Sequence, residues 1–193
     1  MRKSAQELFV LTIGHSTRPL DAFLDTLKAQ GVKRLVDVRT VPRSRHNPQY
    51  NQESLPESLA AAGIRYVHMP GLGGLRHARR DSVNTGWQNQ SFRGYADYMQ
   101  TPEFVENLER LIAQARRQST AIMCAEAVPW RCHRSLISDA LTVRGIKVEH
   151  IMSSSERRAH ALTSWAHVEG LRIIYPPESL PLNLESNELE GSR

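Results

Sequence analysis

The chain has 193 residues, 40% of them hydrophobic and 23% charged, which describes a soluble globular protein with enough material for a proper core. No apolar run approaches the roughly 18 residues of a membrane span, and two cysteines exclude a disulfide framework. The formal charge is +5, and 21 of the 25 basic residues are arginine, so a small anionic molecule or a nucleic acid fits the charge as a partner. A solvated surface is the other account of the same arginines.

Two basic residues, Arg2 and Lys3, open the chain, but Gln6 and Glu7 interrupt it before a signal-peptide core can form, so a cytoplasmic location is expected. Phe9 to Ile13 is apolar and partly β-branched and ends at Gly14, which predicts a buried first strand followed by a turn at Gly14-His15-Ser16-Thr17. Leu20, Phe23, Leu24 and Leu27 recur at helical spacing, with Pro19 early and Gly31 closing. Arg34 to Arg39 reads as a second strand. Asp37 falls between two valines, where a structural strand has no need of a carboxylate. A basic loop with Pro42, Arg43, Arg45 and Pro48 follows. Next come a short helix over about 52–62, ended by Gly63, and a third strand over Ile64 to Met69.

Periodicity is then lost from about 70 to 90, beginning with Gly71-Leu72-Gly73-Gly74. Stretches of this length without regular structure are functional or disordered more often than not, and a lid is expected. Two helices are predicted over 92–99 and 102–117, the second with Thr101 as N-cap and Pro102 at its first position. Ala121 to Cys124 is a fourth strand, 132–143 a helix closed by Gly145, and 146–151 a fifth strand. Residues 154–166 read as a last helix or a partly ordered arm. From Pro176 onward the chain is proline-rich and acidic, and a disordered tail over 176–193 is expected.

Strands alternating with helices define the fold class: a single α/β domain over 1–175, Rossmann-like, with a mostly parallel five-stranded sheet and helices on both faces. Ligands of such sheets sit beyond the carboxyl ends of the strands. His15 and Ser16 follow strand one, Asp37 and Arg39 end strand two, Gly73 and Gly74 follow strand three, and Cys124 and Glu126 end strand four. These groups are expected to meet on one rim.

The stretch Met123-Cys124-Ala125-Glu126-Ala127-Val128-Pro129-Trp130-Arg131-Cys132-His133-Arg134 contains both cysteines and admits four readings. Cys124 as a nucleophilic thiolate would need an arginine where the chain has Trp130, with Arg131 one position late, and a buried inert cysteine is the ordinary alternative. Cys124-Ala125-Glu126 is similar to the opening of a zinc cytidine deaminase site, but the later cysteine pair is incomplete, and a mixed site of Cys132, His133 and another histidine matches no strong spacing, so no metal is assigned. As a redox pair, Cys124 and Cys132 lack the C-x-x-C spacing, and the sequence does not bring their Cα atoms within disulfide reach. An anion site uses most of the stretch: His133 and Arg134 open a helix whose free amides favour negative charge, and Arg39 and Arg131 add charge. Its rival is an ion pair of Arg134 with Glu126 or Asp37.

Thr12-Ile13-Gly14-His15-Ser16, Leu35-Val36-Asp37-Val38-Arg39 with Pro42 and Ser44, Gly71-Leu72-Gly73-Gly74, Phe92-Arg93-Gly94-Tyr95-Ala96-Asp97-Tyr98-Met99, and Cys124-Ala125-Glu126 with Cys132-His133-Arg134 together resemble the family called domain of unknown function 488 (DUF488). The resemblance runs from about Thr12 to about Ile151. It implies an α/β fold and brings with it no activity, cofactor or catalytic residue.

The functional expectation is an enzyme acting on a small anionic or nucleotide-like substrate at the rim. Glu126, Asp37, His15 and His133 are the candidate catalytic groups. Ser16, Arg39, Gly73, Gly74, Cys124 and Arg134 are the candidate substrate-binding ones. One alternative is a nucleic-acid-binding module using Arg43, Arg45, Arg76, Arg79 and Arg80 with Trp87 and Phe92 for stacking, and a third reading is a rim that is a structural polar network without catalysis. No membrane partner is expected, and neither a cofactor nor an oligomeric state is assigned.

Overall fold

A computed structural model describes residues 7–177. Five strands lie parallel: β1 (Phe9–Gly14), β2 (Arg34–Asp37), β3 (Arg65–His68), β4 (Thr120–Cys124) and β5 (Lys147–Ile151). A sixth, β6 (Arg157–Ala159), pairs antiparallel with β5, giving the order β3-β2-β4-β1-β5-β6. The expected sheet of five is therefore one strand short, and the helix or arm expected over 154–166 contains β6 instead. The reason is local: Arg157-Arg158-Ala159 is short, charged and exposed, which is how an edge strand avoids further pairing and why it lacks the apolar alternation of a strand. Strands β7 (His167–Glu169) and β8 (Arg172–Ile174) form a separate hairpin.

Helices cover both faces because the central strands are apolar on both. Leu11, Ile13, Leu35, Ala121 and Met123 point to one side. There they bury Phe23 and Leu27 of α1 (Leu20–Ala29) and Leu55 and Leu59 of α2 (Leu55–Ala61). Val10, Val36, Ile122 and Val148 point to the other side, against α3 (Gln90–Tyr98), α4 (Pro102–Ala115) and α5 (Arg134–Val143). Each of these large side chains stabilises the fold by about 1.5–3 kcal/mol on burial. Thr101 caps α4 as expected, its hydroxyl accepting from Phe104 N at 3.3 Å. Ser16 caps nothing: α1 begins after Pro19, and Ser16 sits at φ 51 in the left-handed region.

Topology decides where the site lies. The chain leaves β1 toward β2 on one side and leaves neighbouring β4 toward β5 on the other, so the two exit loops pass against each other. His15 N donates to Cys124 O (3.0 Å) and Ser16 N to Ala125 O (2.9 Å). A Cβ on Gly14 would run into Glu126 O, so only glycine lets the loops meet this closely.

The stretch expected to be a lid is irregular but tied down. Tyr98 OH donates to Gly71 O (2.6 Å) and Tyr95 OH to Leu72 O (2.9 Å). Buried Asp97 accepts from Arg79 N, Ser82 Oγ and Asn84 Nδ2. Of the tail expected over 176–193, residues 178–193 lie outside the described residues. Among the described residues no helix is long and apolar enough to cross a membrane.

Candidate functional site at the strand carboxyl ends

The rim carries two adjoining cavities. One, of about 400 Å³, is lined by Arg39, Gly74, Cys124, Glu126, Cys132 and His133, with Ser91, Phe92 and Arg131 at its edge. The other, of about 360 Å³, is lined by His15, Ser16, Arg39, Ser44, Asn47 and Glu126. Arg39, Val41, Ala125 and Glu126 border both. Asp37, Gly73 and Arg134 border neither: Gly73 packs on Thr40, and the other two are buried behind the walls.

The first wall is a closed network. Asp37 accepts from Arg39 Nε (2.9 Å), Arg39 Nη2 (2.6 Å), Arg39 N (3.1 Å) and Tyr66 OH (2.9 Å). A carboxylate so placed has no lone pair directed at a substrate; it holds Arg39. Burial, and after it the neighbouring Asp37 charge, push Tyr66 above the ordinary phenol range. Arg39 also donates to Tyr50 O (2.7 Å) and to His15 Nε2 (3.2 Å), which leaves one of its five N–H groups for the cavities. His15 Nδ1 lies 2.8 Å from Ser16 O. A carbonyl only accepts, so Nδ1 bears the proton and Nε2 takes the Arg39 bond. The ring is neutral, stacks on Tyr50 at 4.1 Å, and is held down at a pKa of about 4, chiefly by burial. Both nitrogens of His15 are thus engaged.

The second wall is built from β4 and the start of α5, joined by a loop with a single helical turn at Pro129–Arg131. That turn folds the chain back so that Cys132 Sγ comes to 3.1 Å from Cys124 Sγ, and both thiols are free. Cys132 also accepts from Arg134 N (3.5 Å) and Arg134 Nε (3.4 Å). Burial alone would raise the Cys132 pKa. The Cys124 bond and the Arg134 charge outweigh it and bring the group down to about 6. Cys124, hydrogen-bonded to that sulfur and buried, is pushed up to about 12. The two thiols titrate as a pair, with Cys132 shifted toward the thiolate and Cys124 toward the thiol.

His133 Nδ1 lies 3.7 Å from Cys132 Sγ, while its buried Nε2 has no hydrogen-bond partner among the described residues. Cys124, Cys132 and His133 form the one group of three ligand-type side chains among the described residues whose donor atoms approach within 4.8 Å of one another. Arg134 is 1% exposed and acts as a strut: Nη2 donates to Glu126 O (2.6 Å) and Nη1 to Thr12 Oγ1 (3.2 Å). Its partner is thus the Glu126 carbonyl, and neither of the two carboxylates considered for it. From Thr12 an ordered chain continues through His150 (2.7 Å) and His160 (3.0 Å) to Asp139 (2.8 Å). Asp139 accepts, so each imidazole donates toward it and accepts from the Arg134 side. Burial, with His160 next, holds His150 at about 4.

Glu126 has an exposed side chain with no hydrogen-bond or ion-pair partner among the described residues, on a backbone that Arg134 and Gly14 fix. Of the expected groups, Glu126, His15, His133, Ser16, Arg39, Gly74 and Cys124 reach the cavities. Cys132, which the familiar spacings reduce to packing, is the most bonded sulfur of the site. Ser91 also lines the first cavity, and nothing in the sequence pattern marks it.

These features define an α/β protein with a thiol, imidazole and carboxylate rim. The chain belongs to the family described as domain of unknown function DUF488, whose model matches residues 19–141. That span includes β2, the glycine turn and both cysteines, and leaves Gly14-His15-Ser16 just outside. Comparison with curated proteins and with solved structures gives no match.

Proposed function

We propose that the rim is the active site of an enzyme acting on a small anionic, phosphorylated or nucleotide-like substrate, with Glu126 as the group that takes and returns the proton. The observation that carries this reading is the contrast between a fixed Glu126 backbone and a free Glu126 carboxylate at the border of two cavities. A proton-transfer group needs that combination of positioning and an unoccupied lone pair. The spare Arg39 N–H and the exposed Arg131 supply positive charge to the anion. Asp37 and Arg134 act through what they hold, and His15 orients Arg39. The Rossmann-like expectation that ligands sit where neighbouring strands send their connections opposite ways supports the same place. Two cysteines are too few for the disulfide framework of a secreted domain, and we place the reaction in the cytoplasm.

The test is a panel of nucleotides and sugar phosphates incubated with the protein, products being read by mass spectrometry. Conversion of a panel member that disappears in Glu126→Gln, with an unchanged thermal midpoint, is the expected result. Equal conversion by Glu126→Gln removes the reading.

The nucleic-acid alternative has less behind it. Arg43 pairs with Glu53 (2.6 Å), Arg79 with Asp81 (2.7 Å), and Arg76 lies over the Tyr98 ring at 3.5 Å. Trp87 packs on Phe92, Trp165 and Tyr175, which occupies the faces a base would stack on. A binding isotherm with single-stranded DNA, steepening as salt is lowered, would restore it.

A further inference from the structure

We propose that Cys124, Cys132 and His133 bind one zinc ion, with the fourth coordination position open to the cavity that Glu126 borders. This deepens the proposed function and rests on it, since it places a Lewis acid beside the proposed proton-transfer group.

The geometry comes first. The three donor atoms lie within 4.8 Å of one another, with Cys132 Sγ 3.7 Å from His133 Nδ1 and 3.1 Å from Cys124 Sγ. Tetrahedral zinc, with its ordinary bonds to sulfur and nitrogen, sets a sulfur and a nitrogen about 3.5 Å apart and two sulfurs about 3.8 Å apart. The Cys132–His133 separation already fits, and the Cys124–His133 one lies within 4.8 Å, so the imidazole closes on Cys124 as the ion binds. The two sulfurs need to part by about 0.7 Å, within reach of a small side-chain rotation. The ligands also stand on rigid elements, Cys124 at the end of β4 and Cys132 and His133 at the entry to α5.

The surroundings supply a second, independent observation. His133 meets Cys132 Sγ through Nδ1, and its buried Nε2 has no protein partner among the described residues, so the sulfur side is the only one on which the ring nitrogens are engaged. Gly74 keeps its approach clear: a Cβ at that position would come within 2.5 Å of His133 Nδ1. Arg134 N and Nε donate to Cys132 Sγ, the outer hydrogen bonding that steadies a metal-bound thiolate. Two thiolates and an imidazole are soft and borderline ligands, which select zinc over magnesium or calcium. Three protein ligands with an open fourth position is the arrangement of catalytic zinc, whereas a structural site closes with four. The cavity of about 400 Å³ lies on the open side.

The full chain, stripped with a chelator under reducing conditions and titrated with Co²⁺, gives the direct test. The expected result is one equivalent bound, with the sulfur-to-cobalt charge transfer and visible bands of a tetrahedral site, displaced by Zn²⁺. Zinc should also protect both thiols from a disulfide reagent that modifies them in the stripped chain. Cys132→Ser should abolish the cobalt spectrum, and His133→Ala should weaken binding at least tenfold, each with a circular dichroism spectrum like that of the parent chain. If Cys132→Ser does not fold, thiol protection in the unaltered chain still decides the matter. Absence of cobalt and zinc binding in the folded parent chain overturns the proposal, as does ready formation of a Cys124–Cys132 disulfide that added zinc does not slow. Glu126→Gln should bind cobalt normally, so metal binding and the role of Glu126 succeed or fail separately.

Discussion

The two walls of the rim contain similar residue types and treat them in opposite ways. On the β2 side, Asp37, Arg39 and His15 spend almost every donor and acceptor on each other and on nearby backbone. On the β4–α5 side, the Glu126 carboxylate and His133 Nε2 have no partner among the described residues, and two thiols crowd together at 3.1 Å. Buried polar groups that satisfy one another hold structure, and groups left with unused capacity mark where a ligand or a reaction belongs. The first wall supports the rim, and the second is where chemistry is to be sought.

The strongest way to break that comparison is to remove Asp37. Arg39 is buried against it with Nη2–Oδ2 at 2.6 Å, and losing the carboxylate leaves the guanidinium charge without compensation. Asp37→Ala should destabilise the protein by about 3–5 kcal/mol, measured as the shift of the urea midpoint. Tyr66→Phe, which removes one hydrogen bond to the same carboxylate and leaves the Arg39 pair in place, should cost less, about 1.5–3 kcal/mol. A mild Asp37→Ala phenotype would mean that the first wall is no strut.

Acid provides the next largest effect. His15 is neutral in the fold with a pKa near 4, below the ordinary 6.5 that it regains on unfolding. As pH falls, the unfolded chain takes up this proton first. The stability held above pH 6.5 is therefore lost progressively between about 6.5 and 4 and changes little further from this group below that. For His15 alone the loss is on the order of 3 kcal/mol. His150, held near 4 as well, adds in the same window. His15→Gln should flatten the measured slope of unfolding free energy against pH, and an unchanged slope would show that His15 is not held neutral.

These pairings were only partly legible in the sequence. Strands β1 and β4 announce themselves as apolar runs, and β3 and β5, which alternate with polar residues, each start just after a helix-closing glycine, Gly63 and Gly145, both at φ 73. The meeting of His15, Arg39, Cys124 and Glu126 on one rim follows from the strand ends alone. What does not follow is whether a polar group is free. Asp37 looks catalytic in sequence because a carboxylate between valines is conspicuous, but the pairing with Arg39 two residues on depends on how the chain turns after β2. Cys132 looks incidental because no familiar spacing links it to Cys124, and the turn at Pro129–Arg131 that brings the sulfurs together has no period to detect. The edge strand β6 is hidden by its own arginines.

A smaller change sharpens the second wall. Gly74→Ala places a methyl within 2.5 Å of His133 Nδ1. The imidazole can turn aside, so the stability cost should be about 1 kcal/mol, at the low end for overpacking. Its ring should nonetheless leave the sulfurs, seen as a changed His133 imidazole resonance in a histidine-selective NMR spectrum. An unmoved resonance would show that the glycine is not what sets the imidazole in place.

The smallest expected change in stability is at Glu126, and it is the most informative. A carboxylate that serves the fold announces itself through a partner: Asp37 has Arg39 and Tyr66, and Asp139 has His160, Thr163 and Tyr175. Glu126 has none among the described residues, and its backbone is held through the carbonyl, which a side-chain substitution leaves in place. Glu126→Gln should therefore alter the unfolding free energy by no more than about 0.5 kcal/mol, as for an exposed position without special contacts. The same change replaces the one unengaged carboxylate of the rim by an amide that cannot accept a proton at neutral pH. A folded, equally stable and inactive Glu126→Gln protein separates the two walls as chemistry from support. A Glu126→Gln protein destabilised by about 2 kcal/mol or more would place Glu126 with Asp37 among the struts.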